Sequence, residues 1–148
     1  MEMLTQSEAE ALIRMLKESL VDAINFPEKG KKERFKVRGT TPRDLFDIQL
    51  FRGSIAANKV YYSAIVTLNK QSILELHVGD TLKHRNPDGT VINGSHWHIY
   101  KQGYGREYAV PAENVTSSDF EANTMRFFRE FNIVKPPNVA FQQELSIE

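Results

Sequence analysis

The chain has 148 residues, 19 acidic and 19 basic side chains, and no cysteine. This length, with 41% hydrophobic residues, is typical of one globular domain with a buried core. A net charge of zero gives no general attraction to nucleic acids or membranes. The lack of cysteine excludes disulfides, thiol nucleophiles and Cys-ligated metal sites.

The start of the chain is polar and acidic, unlike a signal peptide. No apolar run approaches the roughly 20 residues that span a bilayer. We therefore expect a cytoplasmic protein with no membrane partner.

The first predicted element is a helix over residues 6–24. Thr5 and Glu8 have the spacing of a capping box at its start. Asn25 and Pro27 end the pattern. The apolar residues that recur at helical spacing are Leu12, Ile13, Leu16, Leu20 and Ile24.

Alternating apolar residues then predict strands around residues 34–38, 46–50, 59–69 and 73–78. Their short polar connections favour antiparallel pairing of neighbours. The first strand has an outward basic face formed by Arg34, Lys36 and Arg38. That face is either an ordinary solvated surface or a platform for phosphate groups.

The second half contains a long loop, residues 79–94, with an NPDG turn signal at Asn86–Gly89. The strand HWHIY follows, and a second helix is predicted from Ser118, which has Glu121 at capping-box spacing. An aromatic stripe on that helix predicts core packing: Phe120, Phe127, Phe128 and Phe131.

Together these elements predict an α+β fold: an antiparallel meander of five or six strands with an N-terminal and a C-terminal helix. We expect a single domain over residues 1–135 and a flexible C-terminal tail over residues 136–148. The segment VAFQQEL in that tail has the composition to add to a sheet edge or a partner.

All four histidines lie between His77 and His98. Strand alternation puts His96, His98 and Tyr100 on one face and turns Trp97 toward the core. His77 holds a similar polar-side position on the preceding strand, where cross-strand pairing would bring it to His96 or His98 with Glu75 nearby. His84 lies in the intervening loop.

One interpretation of these histidines is metal binding. Two imidazoles at i and i+2 reach the same ion, and a third from the neighbouring strand completes a facial set with Glu75 or Asp80. His77, His96 and His98 are the candidates if a divalent metal binds. The H-x-H pattern is short and common, so the sequence assigns neither a metal nor any other cofactor.

A second interpretation is acid–base catalysis, because free imidazole titrates near about pH 6.5. His96 and His98 would act as base and acid on an RNA phosphodiester, with an arginine holding the phosphate. This predicts a metal-independent, RNase-like toxin whose catalytic candidates are His96, His98 and Tyr100.

A third interpretation is a surface that stacks bases and grips phosphates. The same histidines would equally fill a polar sheet face without any function. The candidate ligand-binding residues are His84, Arg85, His96, His98, Tyr100, Tyr104 and Arg106.

The stretch from His84 to Tyr100, with the KQGYGREYAVP that follows, resembles a family of small uncharacterised proteins from low-GC Gram-positive bacteria and their phages and mobile elements. The likeness rests on an H-x-NPDG turn, H-x-H-x-Y, a Gly-rich turn and an aromatic–Ala–Pro step, and covers residues 45–131. The resemblance implies no activity. It implies a toxin, defence or counter-defence setting.

The leading hypothesis is therefore a phage or mobile-element accessory protein that binds a nucleotide or nucleic acid through its His/Tyr/Arg face. The alternatives are the RNase-like toxin and an anti-defence inhibitor that binds a host effector protein. The sequence leaves open whether the protein is an enzyme, and it is compatible with a homodimer.

Overall fold

The computed structural model describes residues 4–141. It contains two helices, α1 (Gln6–Arg14) and α2 (Phe120–Glu130), within that range. The strands are β1 (Lys17–Ser19), β2 (Ala23–Asn25), β3 (Lys32–Arg38), β4 (Leu45–Arg52), β5 (Val60–Val66), β6 (Ser72–Val78), β7 (Lys83–Arg85), β8 (Val91–Asn93), β9 (His96–Ile99), β10 (Ala109–Pro111), β11 (Ile133–Lys135) and β12 (Asn138–Ala140).

Eight strands form one sheet in the order β10-β9-β6-β5-β4-β3-β1-β11. Strands β3 to β6 form the predicted antiparallel meander, and β9 and β10 extend it. The sheet is mixed because β11 pairs with β1 in parallel. The α+β class is confirmed, but the sheet is larger than the predicted five or six strands. The extra pairings join segments far apart in sequence, which local patterns do not reveal.

The core lies between the sheet and the two helices. Aromatic residues of α2 pack on one sheet face, as the stripe predicted: Phe127 on Tyr62 at 5.5 Å, Phe128 on Phe35 at 5.7 Å and Phe131 on Phe46 at 5.2 Å between ring centroids. Apolar residues of α1 join the same cluster. Within residues 4–141 neither helix covers the opposite face, which we call the open face. Alternation places Glu75, His77, His96 and His98 there.

Both helices begin with a side-chain cap. The Thr5–Glu8 capping box is present as predicted, with both of its reciprocal hydrogen bonds. The cap of α2 is Asp119, whose carboxylate accepts from the backbone N–H of Ala122. The predicted cap, Ser118, lies one residue too early.

The long first helix was a wrong prediction, because α1 ends at Arg14. The backbone carbonyls at its end accept hydrogen bonds from side chains outside the helix. The Lys17 ammonium donates to the carbonyls of Ile13, Met15 and Phe131 at 2.7–3.0 Å. The helical spacing of leucines was misleading, since Leu16 is 59% exposed whereas Lys17 is 1% exposed. Tertiary hydrogen bonds from the buried Lys17 side chain thus override the local pattern.

The first residues of the predicted C-terminal tail include a strand. Asn138–Ala140 forms β12, which pairs in parallel with β2. Phe141 packs on Phe26 with 5.3 Å between ring centroids. A strand from VAFQQEL was one of the expected outcomes, and its first residues take part. Residues 142–148 lie outside the described part of the chain. No helix within residues 4–141 is both long and apolar enough to cross a bilayer.

Replacing Lys17 tests its role at the end of α1 and at Phe131, the C-cap of α2. Lys17→Met leaves three carbonyls without their shared donor, so we expect a loss of roughly 2–4 kcal/mol in the free energy of unfolding. Denaturant titration followed by circular dichroism measures it. Lys135→Met, at a side chain that is 78% exposed, is the control and should change stability by less than about 0.5 kcal/mol. Equal stability of the two variants would contradict this role.

Candidate metal centre

Pairing of β6 with β9 brings three histidines together on the open face. His77 lies opposite His96, and Glu75 lies opposite His98. The fourth histidine, His84, reaches the group from the β7–β8 hairpin. Neighbouring imidazole centroids within this cluster are 4.6–5.6 Å apart. The expected approach of His77 to His96 and His98 is therefore observed.

Hydrogen bonds to carbonyl oxygens fix the tautomers of His96 and His98. His96 Nδ1 lies 2.9 Å from the Gly94 carbonyl oxygen, and His98 Nδ1 lies 2.7 Å from that of Arg106. A carbonyl oxygen only accepts, so each Nδ1 carries the proton. Each Nε2 therefore presents a lone pair, and neither has a hydrogen-bond partner within residues 4–141.

Glu75 orients His77 in the same manner. His77 Nε2 lies 2.8 Å from the Glu75 carboxylate and donates to it. Its Nδ1 makes no hydrogen bond within residues 4–141. Metal-bound histidines usually donate their other N–H to a carboxylate or carbonyl oxygen, which fixes the ring and raises its basicity. His77, His96 and His98 all show this arrangement.

The Glu75 carboxylate is 3% exposed and fully engaged. Arg106 donates to both oxygens at 2.5 and 2.7 Å, and Ser72 donates at 2.5 Å. Burial by itself would raise the pKa of Glu75. The hydrogen bonds from His77, Arg106 and Ser72 outweigh burial and hold that pKa at about 2. Glu75 is therefore an anion at neutral pH.

Burial has the opposite consequence for the histidines of β9. It lowers the pKa of His98 to about 4, helped by the neighbouring His77. Burial also lowers the pKa of His96. Both imidazoles are thus neutral at pH 7, the form in which they bind metal ions.

One ring nitrogen from each of His77, His96 and His98 lies within 4.8 Å of the other two. A tetrahedral ion with Zn–N bonds of about 2.0–2.1 Å requires roughly 3.3 Å between nitrogens. Binding then draws the rings together by at most about 1.5 Å. The three donors come from two adjacent strands, so they approach an ion from one side. All three histidines line a cavity of about 320 Å³.

His84 also lines this cavity, at 4.7 Å between its ring centroid and that of His98. Its Nε2 donates to the carbonyl oxygen of Glu107 at 2.7 Å. Beside it, the Asn86 side chain pairs with both backbone groups of Ala109. The NPDG hairpin is thereby fixed to β10. Asn86 and Ala109 therefore have a structural role, and the His84 side chain forms part of the cavity wall.

The other candidate residues predicted from the sequence add no unengaged side chain to the histidine cluster. Tyr100 turns into the core, where its hydroxyl donates to the Leu4 carbonyl. Tyr104 packs against Tyr108. Arg85 reaches its own turn at Gly89. Arg106 is close to the histidines, but its guanidinium pairs with Glu75. Alternation failed for Tyr100 because β9 ends at Ile99.

Sequence reasoning missed two contributors. Ser72 donates to Glu75 beside the predicted candidate Arg106, and Tyr61 stacks on His77 with 4.2 Å between ring centroids. Tyr61 occurs in a strand predicted correctly, and the register Tyr61↔His77 decides the contact. A register shift between Ala64 and Ile65 sets that pairing, and nothing in the local pattern indicated it.

The depressed pKa of Glu75 predicts a specific acid sensitivity. The unfolded chain takes up a proton as the pH falls through the ordinary value of 4.5, whereas the folded state resists until about pH 2. The free energy of unfolding should therefore fall by roughly 3 kcal/mol across this window. Glu75→Gln should be less stable at neutral pH and lack this part of the pH dependence. Urea titrations at pH 5, 4 and 3 measure it.

An exposed carboxylate gives the control for that experiment. Glu113→Gln should keep both the stability at neutral pH and the wild-type slope. A Glu75→Gln protein with the wild-type slope would show that the carboxylate is not held as the structure places it.

A family model for a family of unknown function, DUF6978, matches residues 4–133. No curated protein and no solved structure matches the chain. The matched range runs from α1 through α2 and includes every residue of the histidine cluster. The chain therefore belongs to the DUF6978 family of unknown function.

Proposed function

We propose that the protein binds one divalent transition-metal ion through His77, His96 and His98, and that this ion holds a phosphate-containing ligand, a nucleotide or nucleic acid. One observation carries the proposal: three imidazoles converge, each with one N–H engaged by an oxygen acceptor and the other nitrogen free. This arrangement is the one in which metal-bound histidines are usually held.

The donor set selects the class of metal. Imidazole nitrogens suit Zn²⁺, Cu²⁺, Ni²⁺ and Fe²⁺, whereas Mg²⁺ and Ca²⁺ prefer oxygen ligands. Three protein ligands with a free position are typical of zinc sites that bind water or substrate, since structural zinc sites use four. An ion held here would supply Lewis acidity and a binding position for an oxygen atom.

Charge favours an anionic ligand at that position. His96 and His98 are neutral at pH 7, and the negative charge of Glu75 is matched by Arg106. Lys83 and Glu107 both line the cavity and carry opposite charges. The positive charge of a bound divalent ion is therefore uncompensated by the protein, which supports a phosphate oxygen as ligand.

The metal-independent ribonuclease is supported less well. That mechanism needs one histidine neutral and the other protonated near pH 7. Burial lowers the pKa of both His96 and His98, so neither supplies the acid. Arg106 is engaged by Glu75 and not free to hold a phosphate.

The setting in a phage or mobile element rests on the sequence resemblance alone and stays a prediction. So does the anti-defence inhibitor, whose test is co-purification of a host protein with the His96→Ala, His98→Ala double variant. A chain that acts only through protein contacts would retain its partner when the histidines are removed.

Zinc titration of the purified chain tests the metal centre. We expect one Zn²⁺ per chain by native mass spectrometry and a rise in Kd of at least about 100-fold for His96→Ala or His98→Ala. Glu75→Gln removes only the outer carboxylate and should weaken binding about 10- to 100-fold. His84→Ala should have the smallest effect. No uptake by the wild type, or uptake unchanged in His96→Ala, would contradict the proposal.

An RNA cleavage assay distinguishes a metal centre built on the histidines from a metal-independent ribonuclease. We expect no cleavage of a labelled single-stranded RNA in the presence of EDTA. Cleavage that persists in EDTA and disappears in both His96→Ala and His98→Ala would establish the metal-independent ribonuclease. Tyr100→Phe is a control, because Tyr100 lies in the core and should not alter cleavage by either route.

A further inference from the structure

An aromatic row leads across the open face to the histidine cluster. Cross-strand pairing joins Lys32 to Phe51, Phe51 to Tyr61, Tyr61 to His77 and His77 to His96. We call these five residues the aromatic row. They belong to five consecutive strands of the sheet, so the row runs perpendicular to the strands. With strands about 4.8 Å apart, it is roughly 19 Å long.

The rings of the row are close enough to form one surface. Tyr61 stacks on His77 at 4.2 Å with 23° between the ring planes, and Phe51 lies 6.2 Å from Tyr61. Phe51 and Tyr61 are partly exposed. Neither helix packs on this face within residues 4–141. Large aromatic side chains left in contact with solvent beside a cavity are typical of a binding surface.

Three cations lie in the aromatic row or beside it: Lys32, Arg34 and Lys59. Within residues 4–141, Lys32, Arg34 and Lys59 make no ion pair with a carboxylate. Lys59 Nζ lies 5.6 Å from the Tyr61 ring centroid, and Arg34 donates to the neutral amide of Gln49. The two buried acidic groups of this face are matched, because Asp47 pairs with Lys36 and Glu75 with Arg106.

We infer that the aromatic row binds a single-stranded nucleic acid. The bound nucleic acid runs perpendicular to the β-strands and brings one of its phosphates to the histidine cluster. Bases stack on Phe51 and Tyr61, and Lys32, Arg34 and Lys59 contact the backbone. Stacking on aromatic side chains within a basic groove is how proteins bind single strands without sequence preference. A row of this length suits a site of about four nucleotides or more.

Stacking on exposed aromatic side chains favours a single strand over a duplex as the ligand. In a duplex the bases are stacked on one another and their faces cannot reach an aromatic side chain. The protein as a whole is neutral, so affinity depends on this local patch and not on the net charge. Sheets that present aromatic side chains to two or three bases are a known mode of RNA recognition.

This inference rests on the proposed function only in its choice of a phosphate-containing ligand, and its test is separate. Phe51 makes no contact with the imidazoles that we assign to the metal. Phe51→Ala should therefore impair nucleic-acid binding and leave the uptake of one Zn²⁺ unchanged. His96→Ala should impair zinc uptake.

Fluorescence anisotropy with the full chain provides the measurement. The probes are labelled 12-nucleotide RNA and DNA single strands and the matching DNA duplex. We expect the single strands to bind at least tenfold more tightly than the duplex. Phe51→Ala should raise the Kd for single strands about 5- to 100-fold. Phe51→Tyr keeps a ring in place and should restore binding. Comparison of the Kd values for RNA and DNA single strands identifies the preferred nucleic acid.

Charge and folding controls complete the design. Lys32→Ala should reduce the dependence of log Kd on log salt concentration by about 0.7 to 1, the contribution of one phosphate contact. Lys135→Ala and Leu68→Ala change exposed residues outside the row and should leave binding unchanged. Thermal melting confirms that each variant is folded.

The inference would be overturned by a duplex bound as tightly as single strands, or by a folded Phe51→Ala protein that binds single strands like the wild type. Zinc uptake without any oligonucleotide binding would reject the inference and leave the metal centre intact. Oligonucleotide binding that depends on Phe51 in a chain that takes up no zinc would support the row and reject the metal centre.

Discussion

The buried carboxylate of Glu75 is the interaction on which the site depends. It joins the sheet, the loop that carries Arg106 and the ring of His77 through four hydrogen bonds. An anion at this depth is stable only because these donors replace the lost water. Once Arg106 is held there, its backbone carbonyl lies beside His98 and fixes that ring as well. One ion pair thus orients two of the three proposed ligands.

The two faces of the sheet have separate tasks. One face packs against both helices and supplies the core, with Tyr62, Ile48 and Leu50 completely buried. The stability gained there permits the open face to hold groups that contribute little to folding, including neutral buried imidazoles and partly exposed rings. Because side chains alternate along a strand, each element that builds the core also places a functional residue on the opposite side. Tyr62 and Tyr61 show this division at adjacent positions.

The sequence predicted the faces on which side chains lie better than the boundaries of the elements. Strand alternation placed His96, His98 and Trp97 on their correct faces, and the aromatic stripe of α2 was identified as core. Three predictions failed where a distant residue decides the conformation. Lys17 ends α1 from the next strand, β11 pairs with β1 after more than 100 intervening residues, and Tyr100 follows the end of β9 into the core.

The amino-acid sequence by itself determined which chemical groups are available and on which side of each strand they lie. Both follow from composition and from a period of two residues, which are local properties. Tertiary structure alone decided that His77 faces His96, that Arg106 neutralises Glu75 and that Phe51, Tyr61 and His77 form one row. These contacts depend on strand register and loop closure, and register is fixed by the packing of the whole sheet and not by any single strand.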